Sequence, residues 1–191
     1  MSWIAWAVIG AIVVILLLWG VAIYNGLVRL RALAEEGFSG ITVQLRRRAD
    51  LIPNLVSTVE GYATHERETL TQVIAHRGDA VNAKDVAATA QADTAMSAMI
   101  GRLFALAEAY PDLKANENFM ALQGELSSIE GELQGARRYY NATVRDVNTR
   151  VMSFPDVIFA RMFGFSEEPF YKDEDPAIQS APKVDFARPA A

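Results

Sequence analysis

The chain has 191 residues, 51% of them apolar, with a net charge of −5 and no cysteine. Excess negative charge, with arginines interleaved among acids, argues against a nucleic-acid binder, because a phosphate backbone rewards clustered cations. Without cysteine there are no disulfides, thiol nucleophiles, thiolate metal sites or acylated cysteines. The apolar bias is local. No ionisable side chain occurs in the first 28 residues, whereas Arg29 to Phe165 carries 15 basic and 17 acidic residues.

Trp3 to Tyr24 is an uncharged run long enough, at 1.5 Å per helical residue, to cross the ~30 Å hydrocarbon core of a bilayer. Trp3, Trp6, Trp19 and Tyr24 sit toward its ends, as interfacial aromatics do. The run predicts a single transmembrane helix. Ala32-Leu33-Ala34 matches a signal-peptidase site, but no basic residue precedes the run, which is longer than a signal-peptide core. Arg29, Arg31 and Arg46 to Arg48 follow the run, so charge asymmetry predicts an external N-terminus and a cytoplasmic C-terminal domain.

Before the C-terminal tail the only prolines are Pro53, Pro111 and Pro155, so Arg29 to Phe165 divides into a few long segments. Ile52, Leu55, Val59 and Tyr62 form one apolar stripe at helical spacing, and Met99, Leu103, Leu106 and Tyr110 form another. Phe119, Leu122, Leu126, Ile129, Leu133, Ala136, Tyr140, Val144, Val147 and Val151 form a heptad with one stutter. The expected fold is all-α, an N-terminal transmembrane helix followed by an antiparallel bundle of long helices. Residues 1–28 form the anchor, 29–165 the helical domain, and 166–191 an extended, proline-rich, acidic tail pinned by Phe170, Tyr171, Val184 and Phe186.

Gly78 to Lys84 reads as a connection, and Tyr110-Pro111 and Phe154-Pro155 as helix ends, with Pro155 opening a short helix closed by Gly164. Pro53, beside Asn54, predicts a kinked continuation of the first helix in preference to a new start at Ile52.

No catalytic constellation, metal site or cofactor motif is present. His65 and His76 are too far apart on one helix to share a metal, and neither H-E-x-x-H nor E-x-x-H occurs. Two polar features stand out. Arg46, Arg47, Arg48 and Asp50 form either a face paired to carboxylates of a neighbouring helix or a patch for a partner protein or anionic lipid. Asparagine is a poor helix former, so Asn116 and Asn118 suggest caps beside Pro111, while Tyr140, Asn141 and Asn148 suggest inter-helix hydrogen bonds that fix register. Opposite the heptad core, Ala121, Gly124, Ser128, Gly131 and Gly135 make a row of small residues, a candidate seam for another protomer.

Tyr24-Asn25, the run Val43 to Val56 (VQLRRRADLIPNLV), His65-Glu66, the run Glu108 to Asn116 (EAYPDLKAN), Ala136 to Asn141 (ARRYYN), Asn148, Phe154-Pro155, Gly164-Phe165 and Val184-Asp185-Phe186 resemble the LemA family. The sequence departs from that pattern at Gly131-Glu132-Leu133 and at Val147. The resemblance implies a protein of the bacterial cytoplasmic (inner) membrane with a small helical bundle and no established catalytic activity or cofactor. The function expected is a scaffold or adaptor that contacts the lipid bilayer, forms homo-oligomers and binds another membrane protein. A sensor or cofactor for a membrane protease, and a ligand-binding bundle using His65, Glu66, Arg46 to Arg48 or Glu108, are the alternatives.

Overall fold

The computed structural model describes residues 3–63, 70–73, 83 and 85–172. His65, Glu66, His76, Val184 and Phe186, and all but Ala83 of the predicted connection from Gly78 to Lys84, lie outside the described residues. Among the described residues there are helices and no strands. Besides the helical residues 70–73, these are α1 (Trp3–Glu60), α2 (Val86–Ala107), α3 (Pro111–Lys114), α4 (Glu117–Met152) and α5 (Asp156–Phe163).

The predicted anchor and the first arm of the helical domain are one helix. α1 runs for 58 residues with Pro53 inside it. Pro53 and Asn54 both lie on the exposed side.

The chain divides into two compact units, Met1–Leu51 with Ala121–Tyr171, and Ile52–Met120 with Lys172–Ala191. In the first, α1 and α4 are antiparallel. Gly26 lies against Arg150, Gly37 against Tyr140, Gly40 against Ala136 and Arg47 against Glu132, so numbers rise on one helix as they fall on the other. The core of this pair comes from Ile23, Leu27, Ala34, Ile41 and Leu45 on α1 and Leu126, Ile129, Leu133, Tyr140, Val144, Val147 and Val151 on α4, all buried. Each large aliphatic side chain withdrawn from water contributes about 1.5 to 3 kcal/mol. With half-buried Leu30, Gly37 and Arg48, the α1 residues make a stripe spaced by threes and fours, the seam geometry of helices crossing at a small angle.

Gly37 sets how closely α1 and α4 approach. A Cβ built there would lie 3.1 Å from the Cα of Tyr140, backbone against backbone, whereas one at Gly40 would lie 4.0 Å from the Ala136 Cβ. Gly37→Ala must spread the helices, and we expect it to lower stability by about 1 to 2 kcal/mol. Gly40→Ala relieves a helix-interior glycine at no steric cost, and should raise stability by up to about 1 kcal/mol. Thermal melts in detergent micelles distinguish the two; equal shifts would mean that the close approach is not limiting.

In the second unit, Ile52, Leu55, Val56 and Val59 from the end of α1 are buried, as are Leu70, Val73, Leu113 and Phe119. α2 starts at Asp85, whose carboxylate accepts from the Ala88 N–H at 2.7 Å, filling a donor that the first turn leaves open. Its buried stripe is Met96, Ile100, Leu103 and Ala107. The predicted stripe Met99, Leu103, Leu106 and Tyr110 is corrected at all but Leu103, since the other three are only half-buried. Alanines make α2 apolar on several faces, so spacing alone does not choose among them. Tyr62 is likewise exposed, and its hydroxyl accepts a 3.0 Å hydrogen bond from Asn116. Asn116 caps α4 through the Phe119 N–H at 3.1 Å, as the sequence suggests.

Candidate functional site

The first unit carries four features that could act on something outside the chain. The first is the apolar end of α1. Its N-terminal section is long and apolar enough to cross a membrane. Isoleucines, valines and leucines from Ile4 to Val21 are exposed there, and the burial provided by α4 begins only near Ile23 and Leu27. Soluble chains rarely expose a continuous apolar surface of that length.

The second is a polar ladder on α4. The side-chain amide of Asn141 accepts from the Tyr171 N–H at 2.8 Å and donates to the Tyr171 carbonyl at 2.9 Å. Asn148 does the same with Glu168, at 2.8 and 2.9 Å. The hydroxyl of Tyr140 donates to the Pro169 carbonyl at 2.7 Å. Seven helical residues rise about 10 Å, and three extended residues cover about 10 Å. Two asparagines one heptad apart therefore match the backbone of residues 168 and 171, and each side-chain amide pairs as a neighbouring strand would. The inter-helix register role predicted for Tyr140, Asn141 and Asn148 is corrected here, because the partner of each is the extended segment after α5. Tyr171, 5% exposed, closes the ladder under Arg137, whose guanidinium lies 5.5 Å from the ring centre, within cation–π range.

Burial, and secondarily the charge of Glu168, pushes the Tyr140 phenol up to about 12. The unfolded phenol has a pKa near 10, so the folded state holds its proton while the unfolded state releases it. Stability is then complete below pH 10 and falls by up to about 1.4 kcal/mol per pH unit between 10 and 12. Tyr140→Phe should remove that portion of the alkaline slope. An unchanged slope, in melts taken from pH 9 to 11.5, would refute the assignment.

The third feature is an ionic cluster across α1 and α4. Arg48 Nη1 is 3.2 Å from one Glu130 oxygen, and Arg137 Nη1 is 3.6 Å from the other. Both arginine side chains are nearly buried, 8% and 11% exposed, and share this half-exposed carboxylate. Arg47 pairs with Glu132 at 3.0 Å, while Arg46 and Asp50 are exposed. The basic run thus separates by helical phase. Arg47 and Arg48 join α1 to α4, and Arg46 faces outward.

The fourth is the row of small residues on α4. Ala121, Gly124, Ser128 and Gly131 are exposed and Gly135 is half-buried. A Cβ added at Gly124 or Gly131 meets nothing within 4 Å, and at Gly135 only Arg138 of the same helix, at 3.9 Å. The glycines that meet a neighbour closely are instead Gly20, Gly26 and Gly37 on α1. Nothing in the sequence singles these out, although Gly20 and Gly26 bracket Ile23 at helical spacing.

Among the described residues no group of three or more His, Cys, Asp or Glu side chains comes together. What the unit presents is an apolar shaft, a seam tied by charge, a clamped strand and an open small-residue face.

The family model described as LemA family matches residues 37–186. This chain belongs to the LemA family. The matched region begins at the Gly37 close approach and includes the Arg48–Glu130–Arg137 cluster and the asparagine ladder, but not the apolar section of α1. Protein LemA of Metamycoplasma hominis is 26% identical over 131 residues, covering 68% of this chain and 60% of that protein. Magnetosome protein MamQ of Magnetospirillum gryphiswaldense is 21% identical over 177 residues, covering 79% of this chain and 65% of that protein. The chain therefore spans less than two thirds of the length of either relative. In this chain the ladder gives a physical reason for Tyr140, Asn141 and the second asparagine, Asn148, seven residues on.

Proposed function

We propose that this LemA family chain is a non-catalytic membrane-anchored scaffold, inserted in a bacterial cytoplasmic membrane with its N-terminus outside and its helical domain in the cytoplasm. It self-associates and binds another membrane protein. The observation that carries this reading is the continuity of α1, an apolar shaft largely exposed from Ile4 to Leu18 that becomes, without a break, one arm of a tightly packed helix pair. Such a helix holds the domain at a fixed height above the bilayer, since it includes no flexible linker. The open face at Gly124, Ser128 and Gly131 suits close approach by a second copy, because glycines in a helix interior cost up to about 1 kcal/mol each and a Cβ at Gly124 or Gly131 would meet none of the described residues within 4 Å. The basic residues that follow the shaft, Arg29 and Arg31, support the cytoplasmic orientation.

A single introduced cysteine tests both parts, because the chain has none of its own. Ser128→Cys should crosslink to a dimer in native membranes, and Gly124→Leu with Gly131→Leu should abolish that product. It should react with a membrane-impermeant maleimide only after cells are permeabilised. Unchanged crosslinking in the leucine variant would defeat the seam, and labelling of intact cells would reverse the orientation.

A further inference from the structure

We infer that α5 is a lipid-facing foot, lying in the interfacial layer of the same leaflet through which α1 leaves the bilayer, with Phe154, Ile158 and Met162 among the acyl chains. The inference rests on the reading of α1 as a membrane span.

α5 is only eight residues long, yet it exposes a contiguous apolar arc. Ile158 is 55% exposed and Met162 64%, four apart on one line of the helix, and Phe154, in the turn just before α5, is 81% exposed. The adjoining line, Phe159 and Phe163, packs on the apolar shaft itself. Phe159 meets Trp19 edge-on at 6.4 Å between ring centres, and Phe163 meets Tyr24 at 5.0 Å. The exposed arc is thus continuous with the shaft. Between the two runs a groove of about 370 Å³ lined by Leu16, Leu17, Val21, Phe159, Met162 and Phe163, apolar and of a size to hold part of an acyl chain.

Height decides the occupant. With Trp3 at one boundary, a ~30 Å core ends about 20 helical residues later, near Ile23. Phe159, against Trp19 and Gly20, then sits about 5 Å inside that boundary, the depth at which amphipathic helices lie on membranes. The charges fit the same level. Arg161 lies at the edge of the apolar arc, exposed, where its stem can lie along lipid and its head reach phosphates. The one acid of α5, Asp156, is only 15% exposed and accepts from Arg150 Nε at 2.6 Å, so no bare carboxylate is carried into the interface. A water-facing helix has no reason to present this distribution; a lipid-facing one does.

The test uses full-length protein in phosphatidylcholine–phosphatidylglycerol vesicles, with one environment-sensitive fluorophore on a cysteine introduced at Ile158 or Met162. Lipids carrying a quencher high on the acyl chain should reduce emission about twofold or more, whereas aqueous iodide should have little effect, as expected for a shallow position. A label at Ile12, near the middle of the span, is read with lipids carrying the quencher near the end of the acyl chain, and one at Ser128 reports solvent. Quenching by lipid at Ile12 but not at Ile158 or Met162 overturns the foot while leaving the span in place. No lipid quenching at Ile12 overturns the span. Labels at Ile158 and Met162 shielded from both quenchers would mean that a protein partner, and not lipid, covers α5, which also overturns the inference.

Discussion

Glu130→Ala should destabilise the protein by about 3 kcal/mol, read as a drop in melting temperature at neutral pH. The carboxylate sits between Arg48 and Arg137, whose side chains are 8% and 11% exposed. Removing one member of a buried ion pair costs about 3 to 5 kcal/mol, because the charge left behind loses a neutralising partner. The lower end applies because Glu130 is itself 36% exposed, so water reaches the site and lowers both the cost and the benefit of the pairs. Glu130→Gln keeps the shape of the side chain but removes the charge and turns one acceptor oxygen into an N–H donor facing an arginine, so it should fall between wild type and alanine. Converting Glu130 to Leu together with Arg48 to Met should recover part of the loss, since a buried pair replaced by apolar groups of similar volume is often neutral. If Glu130→Ala stays within about 0.5 kcal/mol of wild type, the seam is held by its aliphatic residues alone, as ordinary surface pairs would allow.

Replacing Asn148 by leucine should free the segment from Glu168 to Tyr171 from α4. Each asparagine satisfies one backbone N–H and one carbonyl of the extended chain. Two hydrogen bonds at about 1 kcal/mol each, plus the penalty for leaving a partly buried backbone group unpaired, give a loss of about 2 to 3 kcal/mol. Asn141→Leu should behave alike. The double variant should lose less than the two single losses together, because a segment already detached at one rung has little left to lose at the other. Asn→Asp is the sharper probe. It keeps the acceptor for the N–H of residue 168 or 171 but offers no donor to the carbonyl, so it should destabilise even though the change is nearly isosteric. Amide exchange at Tyr171 reads the effect directly. Protection that persists in Asn141→Leu would show that the ladder is not what holds the segment.

These expectations show where sequence reasoning reaches and where it stops. The α4 core was legible because large apolar residues recur there for nearly its whole length, and Leu126, Ile129, Leu133, Tyr140, Val144, Val147 and Val151 are all buried. Its antiparallel partner stripe on α1 was not. That stripe passes through Ala34, Gly37 and Arg48, residues that a hydropathy pattern counts as neutral or polar, and it is completed by backbone contact and an ion pair. The stripe on α2 was misplaced because alanine fits almost any helix face. The ladder was half legible. Tyr140, Asn141 and Asn148 stood out as polar residues in a helix, but their partner is extended and has no periodicity to read. The usable signal is a match of lengths, seven residues of helix against three of strand, with a glycine in the left-handed region, Gly164 at φ 75°, closing the helix between them. The small-residue row was visible from composition, yet only the structure places Gly124 and Gly131 on open surface while Gly37 lies against backbone.

The fixed height of the domain depends on one property of the fold, that the apolar shaft and the bundle arm are a single unbroken helix. Hydrogen exchange of the full-length protein in lipid nanodiscs measures this directly, because a helical backbone is protected and a linker is not. The prediction is continuous protection from Trp3 through Ala49, including Asn25 to Ala34 just outside the bilayer. Rapid exchange over Asn25 to Ala34, or a chain shortened by cleavage after Ala34, would contradict it.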